Sequence, residues 1–304
     1  MSPRHFLSLD TIDSAWLRRI IHHAIALKRR RRAGERRDTM QGKILAMVFE
    51  KSSTRTRVSF EAGMAQLGGS ALFLSRHDTQ LSRGEPIEDT ARVLSSMVDL
   101  IMVRTFEHDK LLRLAQHASV PVVNGLTDFC HPCQLLADLQ TFTEIHGDIT
   151  GATVAWIGDG NNMCNTYMHA ARLLGFHLNI AAPSGYRPDP RVQQQAAGHF
   201  TLFDDPREAV RGCRLVATDV WTSMGQEAEN AARRQAFARF QVNSALMDLT
   251  PADAVFMHCL PAHRGEEVSA DVLAHPKSVV WRQAENRLHA QKALMEVLLD
   301  VADQ

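Results

Sequence analysis

The sequence contains no uninterrupted apolar run of the roughly twenty residues that a membrane-spanning helix needs. Its N-terminal region carries Asp10 and Asp13 and has no long apolar core, so we expect neither a signal peptide nor a transit peptide. The formal net charge is zero, from 34 basic and 34 acidic residues. No overall field therefore draws the protein to nucleic acid or to a membrane, and any anion site has to be local.

Cysteine is scarce and odd in number, with five residues scattered over 304 positions. This pattern indicates reduced thiols and a cytoplasmic protein. Cys130 and Cys133 form a CxxC pair, which occurs in redox sites and as half of a zinc site. No second cysteine pair accompanies it, so we expect neither a redox centre nor a bound metal.

One block of like charge is present, the basic run 28–32 (KRRRR). Such a run is one mark of nucleic-acid binding. Here it ends the amphipathic segment 13–27, where cations complement the negative end of a helix dipole, and no interleaved aromatic residues follow it. We therefore expect the end of a helix and no nucleic-acid partner.

Apolar residues make up 45% of the chain and charged residues 22%, which is ordinary for a globular protein, and the length permits two domains. Short apolar runs recur, each followed by a segment of helical spacing. They lie at 44–49, 71–74, 100–103, 120–123, 153–157, 178–182, 215–218, 255–258 and 279–281. This alternation predicts an α/β protein with two parallel sheets covered by helices.

The boundary between the two halves is marked by a helical segment at about 131–146, followed by the turn-like sequence GDITG at 147–151. The last segment, 285–301, has the spacing of an amphipathic helix. We expect a first domain over 1–147, a second over 148–284 and a C-terminal helix over 285–304.

Residues 52–57 (SSTRTR) lie between the predicted strand 44–49 and a helical segment at 57–67. Free backbone N–H groups and the helix dipole favour an anion at a helix start. Hydroxyl donors and guanidinium groups suit phosphate oxygens. The alternative is an ordinary Ser/Thr cap, but a cap needs one hydroxyl and no arginine.

The stretch 128–134 (DFCHPCQ) places His131 before Pro132, a residue that suits the first turn of a helix. His131 is either a capping residue or a donor aimed at a carbonyl oxygen, and Gln134 can bind an amide. Arg104 ends the apolar run IMVR. Taken alone, Arg104 could equally be a solvated strand end or a second cation for an anion site.

The second half opens with Gly158-Asp159-Gly160-Asn161-Asn162-Met163 after a predicted strand, which invites a dinucleotide-binding interpretation. Met163 replaces the third glycine of that fingerprint, and no acidic residue ends the next strand, so we expect no nicotinamide cofactor. Two adjacent asparagines can instead bind the amine and carboxylate of an amino acid.

Two further loops follow predicted strands, DVWTSMG at 219–225 and HCLP at 258–261. The first, with an acid, hydroxyls and a glycine, is compatible with simple turn chemistry. In the second, Cys259 alone would be read as a small buried hydrophobe.

Taken together, these strings resemble the aspartate/ornithine carbamoyltransferase family. SSTRTR is similar to the family's carbamoyl-phosphate loop, HPCQ to its HPxQ motif, and Glu285-Asn286-Arg287 to its late arginine. DxxxSMG and HCLP resemble the ornithine branch, since aspartate relatives carry HPLP. The five motifs occur in the family's order and span almost the whole chain.

The resemblance implies a role for each matching residue. Carbamoyl phosphate would be bound by Ser53, Thr54, Arg55, Thr56, Gln80, Arg104, His131, Pro132, Cys133, Gln134, Cys259, Leu260 and Arg287. Ornithine would be bound by Asn162, Asp219, Ser223 and Met224. The catalytic set would be Arg104, His131, Gln134, Cys259 and Arg287, with Cys259 facing the reacting amine and not acting as a covalent nucleophile.

The implied reaction transfers the carbamoyl group of carbamoyl phosphate to the δ-amine of L-ornithine, without a cofactor, giving L-citrulline and phosphate. The resemblance also implies a carbamoyl-phosphate-binding domain, an ornithine-binding domain and a C-terminal helix that returns to the first. A homotrimer is implied as well, with Gln80 reaching a neighbouring subunit's site, and arginine biosynthesis is the expected role. Three alternatives stay open: a sister carbamoyltransferase, a nicotinamide dehydrogenase and a non-enzymatic relative.

Overall fold

The computed structural model describes residues 3–76, 84–222 and 229–302. The chain divides into two compact units. The first consists of Met1–Gln140 with Glu285–Gln304, and the second of Thr141–Ala284. Among the described residues, no helix has both the length and the apolar character required to cross a membrane.

The first unit is built on a four-stranded parallel sheet in the order β2-β1-β3-β4. Its strands are β1 (Ile44–Phe49), β2 (Ser70–Ser75), β3 (Leu100–Arg104) and β4 (Val122–Leu126). Its helices are α1 (Ser14–Arg32), α2 (Thr54–Gln66), α3 (Ile87–Ser95) and α4 (His108–His117). The central strands β1 and β3 are almost wholly buried, as expected for a parallel sheet covered on both faces.

The second unit contains a five-stranded parallel sheet in the order β7-β6-β5-β8-β9. Its strands are β5 (Thr153–Ile157), β6 (His177–Ala181), β7 (Phe200–Phe203), β8 (Leu215–Thr218) and β9 (Val255–His258). Its helices include α6 (Asn162–Leu174), α7 (Pro190–Gln195), α8 (Pro206–Ala209), α9 (Asn230–Phe237) and α10 (Ser244–Asp248). The order changes direction at β5, so the loops after β5, β8 and β9 lie where open α/β sheets bind ligands.

Two helices have residues in both units. Helix α5 (Pro132–His146) begins in the first and ends in the second, whereas α11 (Val280–Leu298) begins in the second and belongs to the first from Glu285 onward. Within the first unit, buried Lys28 of α1 donates to Asn286 of α11 at 2.6 Å. The basic run therefore ends α1 as expected, but its first residue is a buried contact of α11.

The two parallel α/β sheets predicted from the sequence are confirmed, with two local errors. Residues 279–281 are not a strand, because Ser278 makes only an isolated bridge to Phe256 before α11 begins at Val280. Strand β7 was missed because it has four residues at the sheet edge and none is fully buried, so its apolar signal is weak.

Candidate functional site

Residues 52–57 (SSTRTR), the predicted anion-binding segment, lie at the start of α2, as the sequence predicted. Ser53 caps the helix by accepting from the backbone N–H of Thr56 at 3.3 Å. Thr54 is exposed and Arg55 half-buried, whereas Thr56 is completely buried. Arg57 lies outside this group, because it pairs with Glu61 at 3.2 Å and covers the ring of Phe73.

Three of the predicted motifs meet at Arg287. One terminal nitrogen of its guanidinium, Nη2, donates to Thr56 Oγ1 at 3.0 Å, and the other, Nη1, donates to Gln134 Oε1. Gln134 in turn donates to Asp138 at 2.9 Å. All four side chains are buried, which fixes their positions and removes water from the contacts.

Two contributors to this cluster were missed from the sequence. Asp138, one turn after Gln134 on α5, holds the Gln134 amide in the orientation that presents its oxygen to Arg287. Gln291, one turn after Arg287 on α11, accepts from Arg287 Nη2 at 2.9 Å when its amide oxygen faces the guanidinium. The spacing of four residues on a helix was the available signal, since such pairs lie on one face.

His131 and Arg104 belong to the same region. Arg104 ends β3, His131 directly precedes α5, and both are buried. Burial lowers the pKa of His131 well below its ordinary value, and the positive charges of Arg287 and Arg104 lower it further. His131 is therefore a neutral imidazole at physiological pH, able to donate one N–H without carrying a charge.

The two cysteines of the CxxC pair are buried thiols. Burial raises the pKa of both Cys130 and Cys133 to about 12, which keeps the protonated form at neutral pH. Cys130 accepts a hydrogen bond from Asn124 at 3.3 Å. Pro132 begins α5, as predicted.

In the second unit, the Asp219 carboxylate forms hydrogen bonds with residues of two other loops that follow strands. It accepts from Asn161 Nδ2 at 3.0 Å and from the Cys259 thiol at 2.9 Å. These residues follow β5, β8 and β9, so the switch point of the sheet brings them together. Asn161 also caps α6, whereas Asn162, the predicted ligand, is the first residue of that helix and half-buried.

A second buried carboxylate, Asp159, was also missed. Arg233 of α9 donates to Asp159 and to the backbone oxygen of Trp221, two residues after Asp219. Burial raises the pKa of Asp159 to about 7, against the opposing charge of Arg233, and the neighbouring charge of Asp219 raises it further.

Two contacts of the His258 ring fix the conformation of the HCLP segment (258–261). His258 Nδ1 accepts from the backbone N–H of Leu260 at 2.8 Å, and His258 Nε2 lies 3.0 Å from the Glu267 carboxylate. Leu260 has a φ of 57° and precedes a cis proline, Pro261. Ligand-type atoms of Asp219, His258 and Cys259 lie within 4.8 Å of one another, but these groups hydrogen-bond within the fold, so we assign no metal.

Three of the predicted site residues, Gln80, Ser223 and Met224, lie outside the described residues. The remaining positions form two groups, one in each unit. The first-unit group comprises Ser53, Thr54, Arg55, Thr56, Arg104, His131, Pro132, Cys133, Gln134 and Arg287. The second-unit group comprises Asn162, Asp219, Cys259 and Leu260.

Comparison with known proteins identifies related family models over most of the chain. Residues 4–144 match the family model of the aspartate/ornithine carbamoyltransferase carbamoyl-P binding domain, and residues 150–298 match that of the Asp/Orn binding domain. A protein of Halorhodospira halophila named ornithine carbamoyltransferase is 61% identical, over 97% of this chain and 99% of that protein. One of the same name from Methylococcus capsulatus is 62% identical, over 98% and 99%.

Solved structures of similar proteins also match over almost the whole chain. Ornithine carbamoyltransferase from Pyrococcus furiosus aligns with a TM-score of 0.94 at 49% identity, covering 98% of each chain. That from Burkholderia thailandensis aligns with a TM-score of 0.91 at 50% identity, covering 97% of this chain and 98% of that one. The five motifs, the two parallel sheets and these similarities show that the chain belongs to the aspartate/ornithine carbamoyltransferase family.

Proposed function

We propose that the protein is an enzyme that transfers the carbamoyl group of carbamoyl phosphate to the δ-amine of L-ornithine, producing L-citrulline and phosphate. The observation that carries this proposal is near-full-length similarity to proteins named ornithine carbamoyltransferase, at 56–62% identity. The chain also has HCLP at 258–261, the ornithine-branch form of that motif.

Carbamoyl phosphate is assigned to the first-unit group. The start of α2 supplies backbone N–H groups, and Ser53, Thr54 and Arg55 supply hydroxyl and guanidinium donors to the phosphate oxygens. Arg104 adds a second guanidinium at the end of β3. Gln80 would add a contact from a neighbouring subunit.

The carbonyl oxygen of the donor is assigned to Thr56, Arg104 and His131. The Thr56 hydroxyl accepts from Arg287 Nη2 at 3.0 Å, and this polarises its own O–H bond as a donor. Attack by the amine turns the carbonyl oxygen into an oxyanion, so fixed donors at this position stabilise the transition state more than the substrate. A neutral His131 serves this role as a hydrogen-bond donor.

The carbamoyl amide is assigned to Gln134, Arg287 and the Leu260 carbonyl. Arg287 holds the Gln134 oxygen, so the Gln134 side chain cannot rotate freely. A fixed hydrogen-bond acceptor and a fixed donor together recognise an amide, because the acceptor pairs with the amide N–H and the donor pairs with the amide oxygen. Pro132 and Cys133 contribute the start of α5, with Cys133 as a buried neutral thiol.

L-ornithine is assigned to the second-unit group. The Asp219 carboxylate pairs with the α-ammonium, Asn162 binds the α-carboxylate end, and Ser223 and Met224 complete the pocket. Cys259 faces the δ-amine, and its thiol also orients Asp219. The amine attacks only when neutral, whereas an alkylammonium group has a pKa of about 10.4, so the rate should rise toward alkaline pH. The departing phosphate accepts the released proton.

Several finer assignments belong to the same proposal. The domain limits are 1–147 for carbamoyl phosphate, 148–284 for ornithine and 285–304 for the returning helix. The protein acts in arginine biosynthesis in the cytoplasm as a homotrimer. The edge strand β2 exposes Leu72 at 48% and α2 exposes Val58 at 55%, which suits contact with another copy of the chain.

The test is citrulline formation by purified protein supplied with carbamoyl phosphate and one amine at a time. We expect ornithine to be carbamoylated and aspartate, putrescine and acetylated ornithine to react far more slowly. Preference for another of these amines would identify a sister carbamoyltransferase. Absence of carbamoyl-phosphate binding in calorimetry would overturn the assignment, and sedimentation velocity tests the trimer.

A further inference from the structure

Glu267 is a completely buried carboxylate in the segment that follows HCLP. Its Oε1 atom lies 3.0 Å from His258 Nε2 and accepts from the backbone N–H of His263 at 2.6 Å. Its backbone is fixed too, because the backbone N–H of Val242 donates to the Glu267 carbonyl at 2.9 Å. Burying a carboxylate without hydrogen bonds is unfavourable, so the two contacts of Oε1 stabilise this segment in its observed position.

The hydrogen bonds of His258 define its tautomer. Nδ1 accepts from the backbone N–H of Leu260 at 2.8 Å, so Nδ1 carries no proton. Nε2 therefore carries the proton and donates it to Glu267. The imidazole thus connects a buried carboxylate to the backbone of Leu260.

The backbone of Leu260 needs such support. Its φ of 57° lies in the left-handed region, which is unfavourable for a residue with a side chain. A hydrogen bond to the N–H of this residue fixes the peptide that precedes it and stabilises the left-handed conformation, on which the direction of the Leu260 carbonyl depends. Strained backbone of this kind persists only where surrounding contacts hold it.

We propose that Glu267, acting through His258, is a positioning residue that aims the Leu260 carbonyl and so selects a donor whose acyl group carries an N–H. This inference rests on the proposed function, in which the Leu260 carbonyl accepts from the carbamoyl amide. A site built to accept a hydrogen bond from a substrate rejects an analogue that lacks the donor. Acetyl phosphate is such an analogue, because a methyl group replaces the amide nitrogen of carbamoyl phosphate.

The experiment compares donor discrimination in wild-type protein and in Glu267→Met, a variant of similar length without an acceptor. Discrimination is the inhibition constant of acetyl phosphate divided by the KM of carbamoyl phosphate, both measured in citrulline synthesis. We expect Glu267→Met to lower this ratio about tenfold, the effect of roughly one hydrogen bond. The KM for ornithine should change less than twofold, because Asp219 and its partners are untouched.

Glu266→Gln is the matched control. It removes a carboxylate from the adjacent position, but Glu266 contacts Arg234 and lies 3.9 Å from His263, away from the His258 ring. We expect its discrimination ratio to equal that of the wild type. Glu267→Gln keeps an acceptor for His258 and should stay within about threefold of the wild-type ratio. If Glu267→Met does not fold, the ring spectra of the wild-type protein described below still test the inference.

Two results would overturn the inference. One is an unchanged discrimination ratio in Glu267→Met, and the other is an equal loss of affinity for carbamoyl phosphate and ornithine in that variant, as a merely structural residue would give. In wild-type protein, ¹⁵N spectra of the histidine rings should show His258 protonated at Nε2, and the Nδ1-protonated form would also contradict it. A wild-type protein that makes no citrulline would instead refute the proposed function, so the two failures are distinguishable.

Discussion

The guanidinium of Arg287 donates to the Thr56 hydroxyl at 3.0 Å, although the two residues are 231 positions apart in the sequence. The same guanidinium donates to Gln134. The late arginine, the α2 loop and the HPCQ motif therefore form one buried group within the first unit. Arg287, Thr56 and Gln134 share these hydrogen bonds, so a change at one residue disturbs the others.

Replacing Arg287 with methionine should weaken both stability and carbamoyl-phosphate binding. The variant leaves Gln134 and Thr56 buried without their charged partner, which costs about 1–3 kcal/mol of unfolding free energy. We expect a KM for carbamoyl phosphate raised at least tenfold, measured by steady-state citrulline formation, and a lower urea midpoint. Arg282→Met is the control, because Arg282 is on the same helix but is 40% exposed and pairs with Glu144. Equal behaviour of the two variants would contradict the assignment of Arg287.

His131→Ala should lower turnover by about 10²–10³, the usual loss when a donor to a developing oxyanion is removed. The KM values should change less than kcat, because the interaction is stronger in the transition state. The matched control is His117→Ala, which removes an exposed histidine at the end of α4. Unchanged turnover in His131→Ala would remove this residue from the catalytic set.

The depressed pKa of His131 predicts a dependence of stability on pH. In the native state His131 stays neutral well below its ordinary pKa of about 6.5, whereas in the unfolded chain it becomes protonated near that value. The unfolded state therefore binds one more proton at His131 than the native state does. As the pH falls below about 6.5, this difference lowers the free energy of unfolding. Urea unfolding from pH 8 to pH 5 should show a smaller decline for His131→Gln than for wild type. Identical declines would mean that His131 is protonated in the folded protein.

Cys259→Ala should weaken the binding of ornithine much more than the binding of carbamoyl phosphate. The thiol donates to Asp219 at 2.9 Å, so its loss leaves one carboxylate oxygen with fewer donors and less fixed in direction. We expect the KM for ornithine to rise about tenfold, in line with the loss of one hydrogen bond to a charged group. Calorimetry should give a much smaller loss of carbamoyl-phosphate affinity.

The control for this cysteine is Cys213→Ala, which makes the same atomic change at a buried position where the thiol donates to the Ala209 carbonyl. It should lower stability without raising the KM for ornithine. A rise in both variants would indicate a general loss of packing in the second unit, and no rise in Cys259→Ala would separate Cys259 from the ornithine site.

The strand pattern was readable from the sequence because buried parallel strands are short, continuous apolar runs. The runs 44–49, 153–157, 215–218 and 255–258 match β1, β5, β8 and β9 residue for residue. The pattern failed at 279–281, where an apolar run of the same kind begins α11. A run of three residues carries no period, so only the hydrogen bonds of the folded chain decide between strand and helix.

The motifs were also recognisable in the sequence, because the type and order of residues at the ends of strands are local features. They predict which residues form the site. Their supporting partners were not recognisable. Asp138, Arg233 and Glu267 are ordinary charged residues in the sequence, and each is buried against a motif residue or its loop. Burial of a charge depends on what packs around it, which no local pattern reports.

The amino-acid sequence was sufficient to recognise the family, to predict the alternation of strands and helices, and to propose a set of site residues, because these depend on local apolar spacing and on short motifs. The folded chain was needed to show that Arg287 bonds to Thr56 and Gln134, that Asn161 and Cys259 bond to Asp219, and that Glu267 is connected to Leu260 through His258. The physical reason is that a hydrogen bond requires two atoms about 3 Å apart, and for residues distant in sequence that distance is set by the packing of the whole unit.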